Sequence, residues 1–281
     1  METFQLSEEL LKKIADLILA KKNTPLKKIV KDVHFADMAE IINELNEDQG
    51  IYLIKLFDSE KTSEILTELN EDVREKILKA LSVKEIADAF EELDSDDAAD
   101  ILGELSEKRK EEVISEISDN NLADDLKELL SYKEDSAGGL MAKELVLANE
   151  NWSITKCLKE IKKQGENVTR VHSIYVVDDK QKLIGRLSLK DLIISPAKKL
   201  IKDIYIPKVD SVNVYEDGEE VAKIMSKYDL EAIPVVNNKK QLVGRITIDD
   251  IVDLIREEAE EDYLLAAGVQ GDVEADDSIL E

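Results

Sequence analysis

The sequence predicts a multidomain chain: an all-α superhelical solenoid, then a tandem α+β module, then an acidic C-terminal helix. Three observations carry this. Apolar residues recur every 12 positions through Leu45, Phe57, Leu69, Leu81, Leu93, Leu105 and Ile117. Ile174 to Ile193 (IYVVDDKQKLIGRLSLKDLI) aligns without gaps on Ile233 to Val252 (IPVVNNKKQLVGRITIDDIV), at a constant offset of 59. A chain of 281 residues also exceeds the size at which one hydrophobic core keeps growing.

Residues 1–35 are expected to form an N-terminal helical segment. Its basic residues Lys12, Lys13, Lys21, Lys22, Lys27 and Lys28 are offset by Glu8, Glu9 and Asp16 and read as solvated helix faces.

Residues 36–135 form the repeat. Each apolar marker is followed by Asn46, Asp58, Asn70, Ser82, Asp94, Ser106 or Ser118, all good N-caps, so each unit reads as one short helix ended and restarted by its cap. Gln49 and Glu85, three residues after Asn46 and Ser82, supply capping-box partners. Helices this short need neighbours, so the unit of stacking is a 24-residue helix pair. Between Asp37 and Asp135 lie 31 acidic and 11 basic residues, a local charge of −20 within a total of −26. Such a body repels its own kind and draws cations. Most of these carboxylates are expected to be solvated outer face. Asp94 to Asp100 (DSDDAAD) holds four acids, with Asp96 and Asp100 one turn apart near the positive end of a helix, where they stay ionised and can share a hard cation.

Residues 136–199 and 200–256 are the two copies of the duplicated unit. Each pairs a valine-rich strand (Val176-Val177, Val235-Val236) with a polar hairpin, a second strand around Gly185-Arg186 or Gly244-Arg245, and a helix opening at Ser188 or Thr247. An amphipathic helix precedes each, with Ile154, Leu158 and Ile161 in one copy and Val221, Ile224 and Met225 in the other. Cys157 falls in the first of these and reads as a buried structural thiol. Residues 257–281 carry the acidic helix Glu257 to Asp262 and a tail.

Composition removes several classes. Hydrophobic residues at 43% fit a folded chain, while aromatics at 4% point to aliphatic seams. One cysteine allows no internal disulfide framework, and no stretch approaches the roughly 18–20 apolar residues that span a bilayer. Acidity argues against nucleic acid. His34 and His172 lie in no nucleophile or metal-ligand pattern, which disfavours an enzyme.

The duplicated unit resembles a pair of CBS motifs, in which the acid of Ser/Thr-x-x-Asp commonly holds a ribose; the matching residues are Asp191 and Asp250. Over about residues 36 to 270 the chain resembles the cytosolic region of the MgtE family of magnesium channels. Three segments carry that resemblance: EDSAGGLM from Glu134, KYDLEAIPVV from Lys227 and TIDDIVDLIREEAEED from Thr247. The family's transmembrane pore follows soon after this helix, so a chain ending at Glu281 is expected to be a shortened, soluble piece of a protein that works at the cytoplasmic face of the membrane.

The resemblance implies Mg²⁺ sites bridging the two parts, at Glu64, Asp96 and Asp100 on one side and Asp250 on the other. Further sensor positions fall on Glu219, Asp229, Asp253, Glu258 and Glu261, near the axis of a homodimer formed through the CBS module. Its ATP site uses two aromatics and an Arg-Asp pair, where this chain has Ser173, Leu230 and Lys190 with Asp191, so nucleotide binding is expected to be weak. The function implied is Mg²⁺ sensing and gating, with the ion favouring a compact, pore-closing state. The alternative is a protein-binding adaptor whose CBS pair answers to adenine nucleotide.

Overall fold

Asn46, Asp58, Asn70, Ser82, Asp94 and Ser106 each hold the N-cap position of a helix. The side chains of Asn46, Asp58 and Ser82 make the capping bond, while those of Asn70, Asp94 and Ser106 do not. The computed structural model describes residues 6–165, 168, 170, 171 and 173–266, and on the last helix the side chains of 248–256, 259 and 263. The chain divides into two compact units, Met1–Ser131 and Tyr132–Glu281.

The first unit is all helical: α1 (Glu8–Leu19), α2 (Asn23–Val30), α3 (Phe35–Glu44), α4 (Glu47–Ile54), α5 (Ser59–Glu68), α6 (Glu71–Ala80), α7 (Val83–Phe90), α8 (Ser95–Gly103), α9 (Glu107–Glu116) and α10 (Asn120–Leu129). Asn46 with Gln49 and Ser82 with Glu85 make the expected capping boxes, and Asp58 accepts from the Lys61 amide. The two hydrogen bonds from Ser82, backbone first, pull the Glu85 carboxyl below its usual pKa. His34 is itself a cap, its Nδ1 accepting from the Ala36 amide at 3.3 Å. Ser118 does not cap α10; Asp119, whose side chain accepts from Asn121, does. Alternate helices stack, α3 on α5, α5 on α7 and α7 on α9, with α4 on α6 and α8 on α10. Two helices therefore make one layer. The core lies on residues between the period markers, such as Ile42, Leu53, Ile65, Leu66, Ile77, Phe90 and Leu102. Of the period markers, Leu69, Leu81 and Ile117 join that core, while Leu45, Phe57, Leu93 and Leu105 are half-buried.

Cations hold the layers together by binding backbone. Lys61 Nζ donates to the carbonyls of Val30 and Val33 at 3.0 and 3.1 Å. Arg109 Nη2 reaches Leu78 and Leu81, and Lys55 Nζ reaches Ala80 at 2.8 Å. Arg74 Nη1 donates to Leu66 and Leu69, while its Nε and Nη2 grip the Glu104 carboxylate. Apart from Val33, between α2 and α3, these carbonyls lie at helix ends, where acceptors have no partner within the helix and the dipole is negative.

The second unit repeats one pattern twice: β1 (Val146–Asn149), α11 (Ile154–Gln164), β2 (Ile174–Val177), β3 (Leu183–Leu187) and α12 (Leu189–Ile194), then β4 (Val212–Asn213), α13 (Gly218–Tyr228), β5 (Ala232–Val236), β6 (Leu242–Thr247) and α14 (Ile248–Ala266). The leading strands β1 and β4 were not expected from the sequence. Each lies parallel to the next strand, whose hairpin partner is antiparallel, giving sheets ordered β1-β2-β3 and β4-β5-β6. The register shifts in both hairpins, between Val176 and Val177 and between Val235 and Val236, again 59 apart. Ile154 and Cys157 sit in the first core with Ile161 against it, but Leu158, expected there, is 42% exposed. Cys157 takes the inward position instead, and burial pushes its thiol up to about 11. The acidic stretch from Glu257 continues α14 without a break.

The connecting segments cross between the repeats. Ile206 and Arg186 exchange backbone hydrogen bonds at 2.8 and 3.0 Å, and Ala142 and Arg245 do the same at 2.8 and 3.0 Å. Residues that open the first copy thus close the second, where Ala137 and Gly138 also donate to Glu216 and Val214. Residues that open the second close the first.

Candidate metal centre

The N-terminus of α8 concentrates carboxylates. Asp94 holds the cap position with extended backbone, yet its side chain accepts no capping bond. One of its oxygens lies within 4.8 Å of an oxygen of Asp96. Asp96 is 8% exposed and accepts from the Asp97 amide at 3.0 Å. Asp100 is one turn further along and exposed, and Glu64 is exposed on α5, which packs against α8. The donor set is hard oxygen throughout, with no histidine or thiol, and suits Mg²⁺, which takes few carboxylates and keeps several waters. Sequence reasoning left Asp94 out of the ligand set because its position reads as a cap.

On the second unit Asp250 is tied to the start of α14. Its Oδ2 accepts from the Thr247 amide at 2.7 Å and lies 2.8 Å from Thr247 Oγ1, which also contacts Asp249 Oδ1. A hydroxyl has one proton, so the two carboxylates compete for it. Burial raises the Asp250 pKa first of all; the Thr247 bonds and the Arg245 charge pull it down, and the Asp249 charge adds to the rise.

That shift gives a testable sign. A carboxyl whose folded pKa is raised contributes stability below its unfolded value of 3.8 and loses it as pH climbs through the folded value. Asp250→Asn is expected to remove this loss. In metal-free buffer the difference in melting temperature between variant and parent should grow in the variant's favour as pH rises from below 4 towards 7. A difference that shrinks over that range overturns this account of Asp250.

The other expected ligands are not brought into one cluster. Glu219, at the start of α13, pairs with Lys223 at 3.2 Å. Asp229 ends the same helix as a left-handed C-cap, about 15 Å away at 1.5 Å per residue. Asp253 is 3.3 Å from Arg256 Nη1. The side chains of Glu258 and Glu261 lie outside the described residues, as does His172. Of the nucleotide residues, Asp191 is half-buried, its amide donating to Ser188 Oγ at 3.3 Å, and Lys190 is exposed. Tyr175, two positions beyond Ser173, is 2% exposed and packed within the fold rather than open for stacking, its hydroxyl pushed up to about 12 by burial.

Comparison with known proteins decides the family. Residues 33–135 match the MgtE intracellular N domain, and 137–197 and 201–257 match the CBS domain. The crystal structure of the soluble part of a magnesium transporter superposes with a TM-score of 0.75 at 28% identity, covering 90% of this chain and 99% of that one. The chain belongs to the MgtE family. The cytosolic domain of the Mg²⁺ channel MgtE in complex with ATP superposes with a TM-score of 0.79 at 29% identity, over 87% of this chain and 99% of that one. The magnesium transporter MgtE of Thermus thermophilus is 40% identical over 131 residues, and that of Enterococcus faecalis 38% over 140, or 47% and 50% of this chain. The matched stretches span only 29% and 31% of those two relatives. The MgtE family is one of transporters and not of enzymes. Among the described residues of this member, no helix is long and apolar enough to cross a membrane.

Proposed function

We propose that this chain is the Mg²⁺-sensing, cytoplasmic part of a membrane magnesium transporter, with residues 36–135 as the acidic sensor and 136–256 as the module that responds. In this reading Mg²⁺ held by Glu64, Asp94, Asp96 and Asp100 on the solenoid, and by Asp250 on the CBS module, favours a compact state that keeps the attached pore shut. Glu219, Asp229, Asp253, Glu258 and Glu261 add weaker sites. The observation that carries the reading is where the solenoid's own cations go. Lys55, Lys61 and Arg109 direct donors to backbone carbonyls, and Arg74 pairs with Glu104 just past the end of α8, so none of the four is directed to the carboxylates at the start of that helix. A charge of −20 left this way resists compaction until a divalent ion is present, and an ion that prefers one state shifts the population toward it.

A homodimer through the CBS module belongs to the same reading. Leu189 and Ile193 on α12 are 53% and 66% exposed, and Ile248 and Val252, at the equivalent positions of α14, are each 40% exposed. Apolar residues repeated on two equivalent helices suit a shared, twofold interface. ATP binding through Asp191 and Lys190 is expected to be weak, since Ser173 and Leu230 stand where the family's site has aromatics.

Melting and small-angle scattering with and without Mg²⁺ test the proposal. Millimolar Mg²⁺ is expected to raise the melting temperature by on the order of 5 °C and to lower the radius of gyration, because the ion binds one state preferentially. Chelation should reverse both, and Asp100→Ala should blunt both while leaving each unit folded. Scattering and melting that stay flat across the millimolar range rule the reading out.

A further inference from the structure

The two β-hairpins of the second unit meet tip to tip. Leu183 N donates to Lys240 O, and Leu242 N to Gln181 O, both at 3.0 Å, so the two bonds are exchanged by the 59-residue offset of the repeats. Gln181 and Lys240, at equivalent positions, both have φ of 62°. Gln241 Nε2 locks the junction by donating to Lys180 O at 3.0 Å. Around it lies a depression of about 710 Å³ lined by Lys180, Lys182, Asn238, Lys239, Lys240 and Gln241.

Four lysines converge there in a protein of net charge −26, and none meets a carboxylate among the described residues. The nearby acids are engaged elsewhere. Asp178 Oδ1 accepts from the amides of Lys180 and Lys182 at 2.8 and 2.9 Å. Asp179 accepts from Asn149 Nδ2 at 3.0 Å and Asn151 Nδ2 at 3.3 Å. In the second hairpin Asn237 and Asn238 stand where the first has these acids, and Asn237 Oδ1 holds the amides of Lys239 and Gln241 at 2.9 and 3.0 Å. Asparagine thus keeps the turn without a carboxylate charge.

We propose that this junction is a binding site for a linear polyphosphate anion. Ammonium groups are compact point charges that suit phosphate oxygens, and the lining has no ring to stack a base and no guanidinium fork for a planar carboxylate. The site is distinct from the Ser188–Asp191 end of the repeat. The five residues of β3 separate them by about 16 Å at 3.3 Å per residue.

Calorimetric titration of the full chain with inorganic tripolyphosphate at 0.15 M salt, without divalent ions, tests the proposal. Saturable binding is expected, with amide shifts in the nuclear magnetic resonance spectrum centred on Lys180, Gln181, Lys239 and Lys240. The combined variant Lys180→Gln, Lys182→Gln, Lys239→Gln and Lys240→Gln should bind about tenfold or more weakly. Its melting temperature should be unchanged, because all four residues are exposed. Asp191→Ala should bind as the parent does. Three results overturn the proposal: no saturable heat, binding that survives the combined variant, or lysine-dependent capture by phosphatidylserine vesicles without any response to tripolyphosphate.

Discussion

Arg74→Met is expected to destabilise the helical unit by about 3 kcal/mol, in the range for breaking one partner out of a partly buried ion pair. Arg74 and Glu104 side chains are 13% and 25% exposed, and their contacts include Nε to Oε1 at 2.8 Å and Nε to Oε2 at 3.1 Å. The same guanidinium satisfies the carbonyls of Leu66 and Leu69 at 3.3 and 3.0 Å, at the end of α5. Methionine fills the space of the stem and leaves a carboxylate and two carbonyls unanswered. Arg74→Lys is expected to recover only a minor part, because one ammonium cannot reach both sets of acceptors. Urea unfolding followed by helical circular dichroism measures this as a lower midpoint at unchanged slope. A midpoint within error of the parent's shows that the fork does not hold the layers.

The second large effect is expected at Gly185. A Cβ built there sits 2.3 Å from Ile206 O and 2.5 Å from Tyr205 Cδ2. No side chain fits unless the crossing segment moves, and moving it breaks both bonds between Arg186 and Ile206. Gly185→Ala is expected to cost several kcal/mol, in the class of severe backbone and packing defects. Gly244→Ala meets Ala142 O at 2.7 Å at the equivalent position and should behave alike. Gly103→Ala, with nothing within 4 Å at the end of α8, serves as the control and should be neutral or stabilising by up to about 1 kcal/mol. Thermal unfolding of the three variants decides it, and a mild Gly185→Ala would mean the crossing strand has slack.

Features set by local chemistry were legible in the sequence. Asn46, Ser82 and their partners Gln49 and Glu85 announce helix starts because a cap is read within four residues. The hairpins were legible because the duplication repeats both strands and both turns. Where two adjacent residues compete, as Ser118 and Asp119 do, the sequence cannot choose, and tertiary placement gave the cap to Asp119. The strands β1 and β4 escaped notice because four and two residues carry no period, and only their parallel neighbours define them. The roles of Lys61, Arg74 and Arg109 were equally hidden. Their targets include carbonyls, which every residue has, so a count of charges does not reveal them. At the site, the Asp96 and Asp100 spacing was readable on one helix. The competition at Thr247 between Asp249 and Asp250 depends on how a strand runs into a helix.

The crossing of segments between repeats bears on how the chain comes off the ribosome. Arg245 Nε donates to Glu144 O across 101 residues, beside the backbone exchange of Ala142 with Arg245. At about 5–20 residues per second, the early segment waits roughly 5–20 s for the strand that receives it. Meanwhile the first sheet has formed but cannot close until Ile206 has emerged. The nascent module therefore passes through a stage with one repeat complete and an orphaned extended segment ahead of it. That stage is open to pairing with the same segment of a neighbouring nascent chain, which makes synthesis on crowded polysomes the moment at which this fold is most exposed to swapped assembly.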